Sequence, residues 1–530
     1  MKRYISIIVL ASAIFTACSE SFLDETPQSF ESADQTYTST KGFNAALNGL
    51  YAYARLEFQT WNDGVISHGA CPYEALQGGL DICYINSPDG SLQHFQNYTF
   101  DPSNSYISNR WKWAYGLITN ANMMINYAEN NDVAWVDSSD KEFYQANAHF
   151  FRAYAYRYLV YLYGDVPWIE KVEDDYRTDF ERTPKATVLA KMIEDLEFAA
   201  KYLPEAPDAV KDGELTKWVA LHLLSEINIF AGNWEEAENA ALEVINSPYF
   251  QLMDTRFGQN ASQAGDPFSD MFLEKNHNRA SGNRESIWVQ QAEYSTTGGG
   301  DAYTDWTRRA WVASCYNIPG FIISKEYGGR GLGQIRPIDY LFDSYEAGDM
   351  RNSEYNIRRD YYYNDPDNTE LYGQKHEITE DNMNRGYAFP TITKFYYMPD
   401  NDETYAGNQK DKTRFRLAET YLLLAEAYIN DNELGKATDA INEVRGRAGA
   451  SLAQESEVNI DYLLDERARE LLGEEMRRFT LARTGKLIER TKKYNSKSAS
   501  KINDKHALWP IPQTIIDANS GLVWENNPGY

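Results

Sequence analysis

Between residues 41 and 58 the chain reads KGFNAALNGLYAYARLEF, with Phe43, Leu47, Leu50, Tyr51 and Ala54 on one stripe of a helical wheel. That spacing predicts an amphipathic helix with one face against a core. The same period returns over 109–129, 141–163, 184–203, 214–231 and 233–246, and late in the chain over 413–430, 433–448 and 461–484. Pro184 suits a first helical turn, where the amide it lacks would be unpaired in any case. No chain of alternating strand patterns appears. Residues 59–108 and 250–412 are instead rich in Gly, Asn, Asp, Pro and Tyr, with weak periodicity. Segments that long are usually functional or disordered, and their aromatic content argues against disorder.

Two helical blocks repeat. LHLLSEINIFAGNWEEAENAALEV at 221–244 aligns without a gap on LLLAEAYINDNELGKATDAINEV at 422–444, offset by 200 residues. Leu223/Leu423, Leu224/Leu424, Glu226/Glu426, Ala237/Ala437, Ala240/Ala440, Glu243/Glu443 and Val244/Val444 match. Each is a helix, a short polar turn and a second helix whose alanines allow close approach. That resembles the tetratricopeptide repeat. Residues 141–163 with 184–203 make a third candidate pair, and 41–58 with 109–129 a fourth carrying a long insertion. The expected fold is mainly α: a tetratricopeptide-like helical repeat scaffold with long irregular loop insertions and a few short strands. Its frame covers about 41–58, 105–248 and 413–490 of a single domain, 18–530. The excursions, about 59–108 and 250–412, are the expected working surface.

Charge narrows the partners. The formal net charge is −27, which argues against nucleic acid, since phosphate binding needs clustered Lys and Arg. Tyrosine outnumbers phenylalanine 39 to 23, and a ring with a hydroxyl tolerates a wet surface. MKRYISIIVLASAIFTA at 1–17 has two cations, an apolar run and small residues, the pattern of a secretory signal. Cys18 follows directly, and this resembles the lipobox of bacterial lipoproteins, with Phe15 where leucine is usual. The resemblance implies lipidation at Cys18 and cleavage before it, and Glu20, Asp24 and Glu25 resemble a signal for the outer cell surface. Several acyl chains would anchor firmly, since each buried methylene adds roughly 0.8 kcal/mol. Cys71, Cys83 and Cys315 are expected to be free, buried thiols rather than a disulfide scaffold.

No HExxH, GxSxG, GxxxxGK[ST] or dinucleotide fingerprint occurs. The seven histidines show no ligand spacing, and His222 is expected to be packed in its helix. DPDNTE at 365–370 and DNDET at 400–404 lack the glycine of an EF-hand loop. No catalytic residue, metal or cofactor is assigned.

Several segments together resemble the SusD/RagB family of surface glycan-binding lipoproteins. SESFLDETPQ after the lipobox fits the family's start, and FRAYAYRYLVYLYGDVPW at 151–168 fits its helix followed by YGDVP. RFRLAETYLLLAEAYI with INEVRGRAG (414–449) fits its late repeat. ERARELLGEEMRRFTLARTGKL at 466–487 resembles its ERRxELxxEGxRxxDLxR, with Met476 and Thr480 as departures expected to affect packing. LWPIPQTII and NPGY close the chain in the same manner. The resemblance implies a non-catalytic lid that captures oligosaccharide or polysaccharide for a partner SusC-like TonB-dependent transporter. Its place would be the outer membrane, lipid-anchored and facing the cell exterior. A peptide-capturing lid of the same architecture is the alternative, and an α-helical polysaccharide hydrolase or lyase a further one.

Loop position and residue type select the ligand candidates: Trp61, Asn62, Asp63, Tyr73 and Tyr84 in the first excursion, and Tyr303, Trp306, Arg308 and Trp311 in the second. Any one of these tryptophans could equally fill a core. Tyr303 and Trp306 are one helical turn apart, so packing survives as a reading if AYTDWTRRAW is a short helix. Trp111, Trp113, Trp218 and Trp234 lie in helical patterns and are assigned to the core. The window 301–360 holds eight Lys or Arg and nine acids, so most of the acidity lies elsewhere and a neutral glycan is favoured.

Overall fold

The computed structural model describes residues 33–58, the backbone of 61–62 and 65–66, and 74–86, 90–172, 176–296, 299, 305–405 and 407–530. Eight helices build the frame: α1 (Thr40–Arg55), α2 (Ser105–Ala128), α3 (Asp140–Tyr163), α4 (Lys185–Tyr202), α5 (Lys217–Ala231), α6 (Trp234–Ile245), α7 (Leu417–Asn430) and α8 (Leu434–Ala448). Polar caps start the first two. The Ser39 side chain accepts from the Gly42 amide, and that of Asn104 from the Tyr106 and Ile107 amides. Glycines with left-handed backbone end α5 (Gly232, φ 85°) and α8 (Gly449, φ 73°).

Each helix packs on the next: α1 on α2 and α3, then α2 on α3, α3 on α4, α4 on α5, α5 on α6, α6 on α7 and α7 on α8. The four helix pairs expected from the sequence are therefore stacked side by side. The contact of α6 with α7 joins the two halves of the 200-residue repeat across the whole second excursion. Small side chains make it possible: Ala237 and Ala427 are fully buried beside Ile229 and Leu423. Helix α3 is buried nearly all round from Tyr144 to Tyr163, with Arg152 and Arg157 paired inside to Asp195 and Glu226.

Two stretches read as continuous helix differ. Residues 412–416 form a strand paired antiparallel with 286–290, with Phe415 opposite Trp288. The 413–430 helix accordingly starts at Leu417. The 461–484 pattern is broken into α9 (Ile460–Leu471) and α10 (Arg477–Arg483). Gly473 lies between them at φ +80°, where a Cβ would come 2.7 Å from Phe395 Cε2. A left-handed residue cannot continue a helix.

The excursions are held to the frame and to each other. Strand 83–85 pairs antiparallel with 335–337, linking the first to the second. Cys83 and Cys315 are free and buried; Cys71 lies outside the described residues. Trp111, Trp113 and Trp218 are buried and Trp234 is partly buried against a core cluster, as expected. His222 is fully buried with Nδ1 2.9 Å from Thr420 Oγ1. Among the described residues no helix is long and apolar enough to cross a membrane.

Candidate functional site

A groove of about 430 Å3 opens where α1, the α4–α5 connection and strand 286–290 meet. Asn44, Asn48, Tyr51 and Arg55 come from α1. Their offsets of four, seven and eleven residues put them on one helical face beside the buried stripe. Tyr51 is fixed through its hydroxyl, which accepts from the Leu215 amide at 2.7 Å and donates to Asn147 Oδ1 at 3.0 Å. Burial raises its pKa, so the phenol stays neutral. Trp288 donates Nε1–H to Gly213 O at 3.2 Å and Arg55 donates to Gln291 O at 3.1 Å. Asp212 and Glu214 line the opposite wall, and burial pushes the Asp212 carboxyl above its usual range.

Arg55, Gln290 and Gln291 also line a small adjoining cleft with Asp305, Asn408, Lys410 and Lys412. The groove therefore runs from the end of α1 towards Asp305 and residues 408–412. Beyond Gln291, Tyr294 meets Tyr405 edge to face at 4.9 Å, and Tyr405 lies 6.4 Å from Tyr397. The first excursion leaves the frame just past Arg55. Arg55 at the end of α1 and residues 288–291 of the second excursion thus border one groove.

The expected ligand residues fare unequally. Trp311 is fully buried and stacks on Phe395 at 6.2 Å, so it is core. Arg308 is fully buried too, donating to Tyr397 O at 2.7 Å and Tyr405 O at 2.6 Å. Burial and the neighbouring Arg309 pull its pKa down to about 10, and its work is to tie the 397–405 loop. Trp306 is 4 % exposed, with the Arg309 guanidinium 4.2 Å from its ring centroid. The short helix Thr307–Trp311 starts directly after it. These three corrections share one cause: Asp305 accepts from Thr307 N and Oγ1 at 2.7 Å and pairs with Lys412, pinning the segment inward. Tyr84 is partly exposed on strand 83–85, away from the groove lining, with Arg336 at 4.9 Å and Lys497 at 4.7 Å over its ring. Cys18, Asp63, Tyr73 and Tyr303, and the side chains of Trp61 and Asn62, lie outside the described residues.

Sequence reading missed Asn44, Asn48, Trp288, Gln291, Tyr294 and Tyr405. The signal for the first two was present: Asn44, Asn48, Tyr51 and Arg55 follow one another at helical spacing along the edge of the stripe that holds Phe43 and Leu50. Rings, amides and acids along one trough can take both the C–H faces and the hydroxyls of a polyol.

A family model described as the SusD family matches residues 284–530, and another, described as "Starch-binding associating with outer membrane", matches residues 81–229. Over these two stretches the chain is similar to the SusD/RagB family. Two SusD-like proteins of Formosa agariphila, P25 and P2, are 23% and 27% identical, aligned over 99% and 100% of both chains respectively. Surface glycan-binding protein A of Bacteroides thetaiotaomicron, solved with laminarihexaose, superposes with TM-score 0.72 at 19% identity, over 92% of this chain and 100% of that one. A laminarin-binding SusD-like protein superposes with TM-score 0.68 at 21% identity, over 92% and 99%.

The SusD/RagB motif around 466–487 is structural here. Glu470 accepts from Arg351, Arg416 and Arg447, and Arg477 pairs with Asp81 and Glu475, all fully or nearly buried. Met476 is buried in the core and Thr480 Oγ1 donates to Glu475 Oε2 at 2.9 Å, so both departures from the motif act on packing.

Proposed function

We propose that this chain captures oligosaccharide or polysaccharide in the groove between α1 and strand 286–290. Anchored through a lipid on Cys18 at the outer membrane and facing the cell exterior, it serves as a non-catalytic lid for a TonB-dependent transporter. One observation carries the binding reading: Tyr51 and Trp288 line one groove with Asn44, Asn48 and Gln291. Each sugar–ring contact adds on the order of 1 kcal/mol, so the groove needs further rings from the excursions, and Trp61, Tyr73 and Tyr303 are the candidates. The laminarin named for two structural neighbours supports a glycan as ligand, and the near-neutral 301–360 window supports a neutral one. The outer-membrane association in the family description supports the location.

Affinity electrophoresis against a panel of neutral polysaccharides, laminarin included, tests this. Asn48→Trp, at an exposed position of α1, is expected to fill the groove and abolish the retention seen for wild type. Unchanged retention would remove the groove while leaving the family resemblance intact. New reducing ends or unsaturated products during incubation would replace the lid by an enzyme.

A further inference from the structure

A second cavity, of about 540 Å3, lies at the other end of the same helices. Helix α3 presents Phe143 to the groove and Val160 and Tyr161 to this cavity. At 1.5 Å per residue the two are about 26 Å apart, so the sites are separate. Segments that the family resemblance rests on, and that the groove does not use, converge here: Gly164 and Asp165 of YGDVP, Leu481 to Leu487 of LARTGKL, Leu508 of LWPIP, and Asn526 to Pro528 before the C-terminus.

The cavity is two-sided in chemistry. Leu481, Leu487, Ile488 and Leu508 supply an apolar floor beside Phe230. Phe230 is stacked on Tyr161 at 4.2 Å and an interplanar angle of 1°, and the Lys185 ammonium lies 4.8 Å from its centroid. Arg182 stands next to Lys185 in the lining and, among the described residues, donates to neutral acceptors: Asp165 O at 2.9 Å, Glu525 O at 3.1 Å and Asn527 Oδ1 at 2.7 Å. The one acid in the lining, Asp165, accepts from the Lys185 amide at 2.7 Å and so caps α4. Two cations against one engaged carboxylate make a locally positive mouth in a chain of charge −27. Burial draws the Arg182 guanidinium below its ordinary value, against the pull of Asp165, which fits a cation short of counter-charge.

We propose that this cavity is a second ligand site, for a small organic carboxylate whose apolar body lies on Phe230 and the leucine floor and whose anionic end meets Lys185 and Arg182. The volume is in the range of small-molecule sites, and a carboxylate placed there gains charge-assisted hydrogen bonds that a neutral group cannot. The apolar floor selects an aryl or alkyl acid over a sugar acid, although both offer the carboxylate.

Calorimetric titration of the purified protein with 3-phenylpropionate, 3-phenylpropan-1-ol and glucuronate separates these. The acid is expected to bind saturably, with the alcohol and glucuronate each weaker by about ten-fold or more. Lys185→Met keeps an apolar stem at an exposed position and is expected to weaken the acid by about ten-fold while leaving the alcohol and laminarin retention unchanged. No saturable acid binding, equal binding by Lys185→Met, or glucuronate binding as tightly as the aryl acid would overturn the proposal. Loss of laminarin retention in Lys185→Met would overturn the separation of the two sites without touching the groove reading.

Discussion

Glu466 lies in the middle of α9 with no exposure to water, and its oxygens accept from Arg351 and Arg445 at 2.6 Å and from Arg469 at 2.7 Å. Burial alone would raise its carboxyl, but Arg351, Arg469 and Arg445 outweigh burial and hold it at about 2. A folded pKa below the unfolded one gives stability that is present above the unfolded value and lost as pH falls from about 4.5 towards 2. Glu466→Gln removes the charge that three guanidiniums share, leaving Arg351 to Asp349 and Glu470 and Arg445 to Glu346, and is expected to cost up to about 3–5 kcal/mol at neutral pH in urea unfolding. It should also flatten the acid limb of stability against pH; an unchanged limb would contradict this account. The loop rings make a parallel case at the same scale. AYTDWTRRAW has the composition of a sugar site, yet Trp311 and Arg308 are buried and Trp306 nearly so. Which way those side chains turn depends on Lys412 and Asn408, about a hundred residues later, and no local pattern encodes that.

Among the elements, helix period and the 200-residue repeat were legible because each helix must bury one face whatever lies beside it. The breaks were not. Gly473 separates α9 from α10 at φ +80°, with a Cβ position 2.7 Å from Phe395 Cε2 and 2.9 Å from Ile392 Cδ1. Both neighbours come from the second excursion, so the reason for the glycine lies outside its own segment. Gly473→Ala is expected to destabilise by about 1–3 kcal/mol in chemical unfolding, and an unaffected midpoint would refute the steric argument. Strand 412–416 was hidden for a similar reason. KTRFR reads as the start of an amphipathic helix until its partner at 286–290 is in place.

Across the whole molecule, antiparallel helices put the α4–α5 connection beside the groove and the start of α4 beside the second cavity. Buried ion pairs, among them Arg351 with Glu466 and Glu470 and Arg447 with Glu285, fasten the second excursion to α8 and α9. The groove carries both signs of charge, so neutral-glycan affinity is expected to change by less than about two-fold between about 0.05 and 0.5 M salt. Binding that collapses over that range in titration would point to an anionic ligand instead. The sequence by itself determined the helical frame, its repeat and the family resemblance, because periodic burial and ordered motifs are local and survive without a partner. Only the tertiary structure decided that Trp306, Arg308 and Trp311 turn inward, that the motif acids form a buried network, and that Asn44, Asn48 and Gln291 share a groove. Those outcomes depend on contacts between segments tens to hundreds of residues apart, where burial and counter-charge come from elsewhere in the chain.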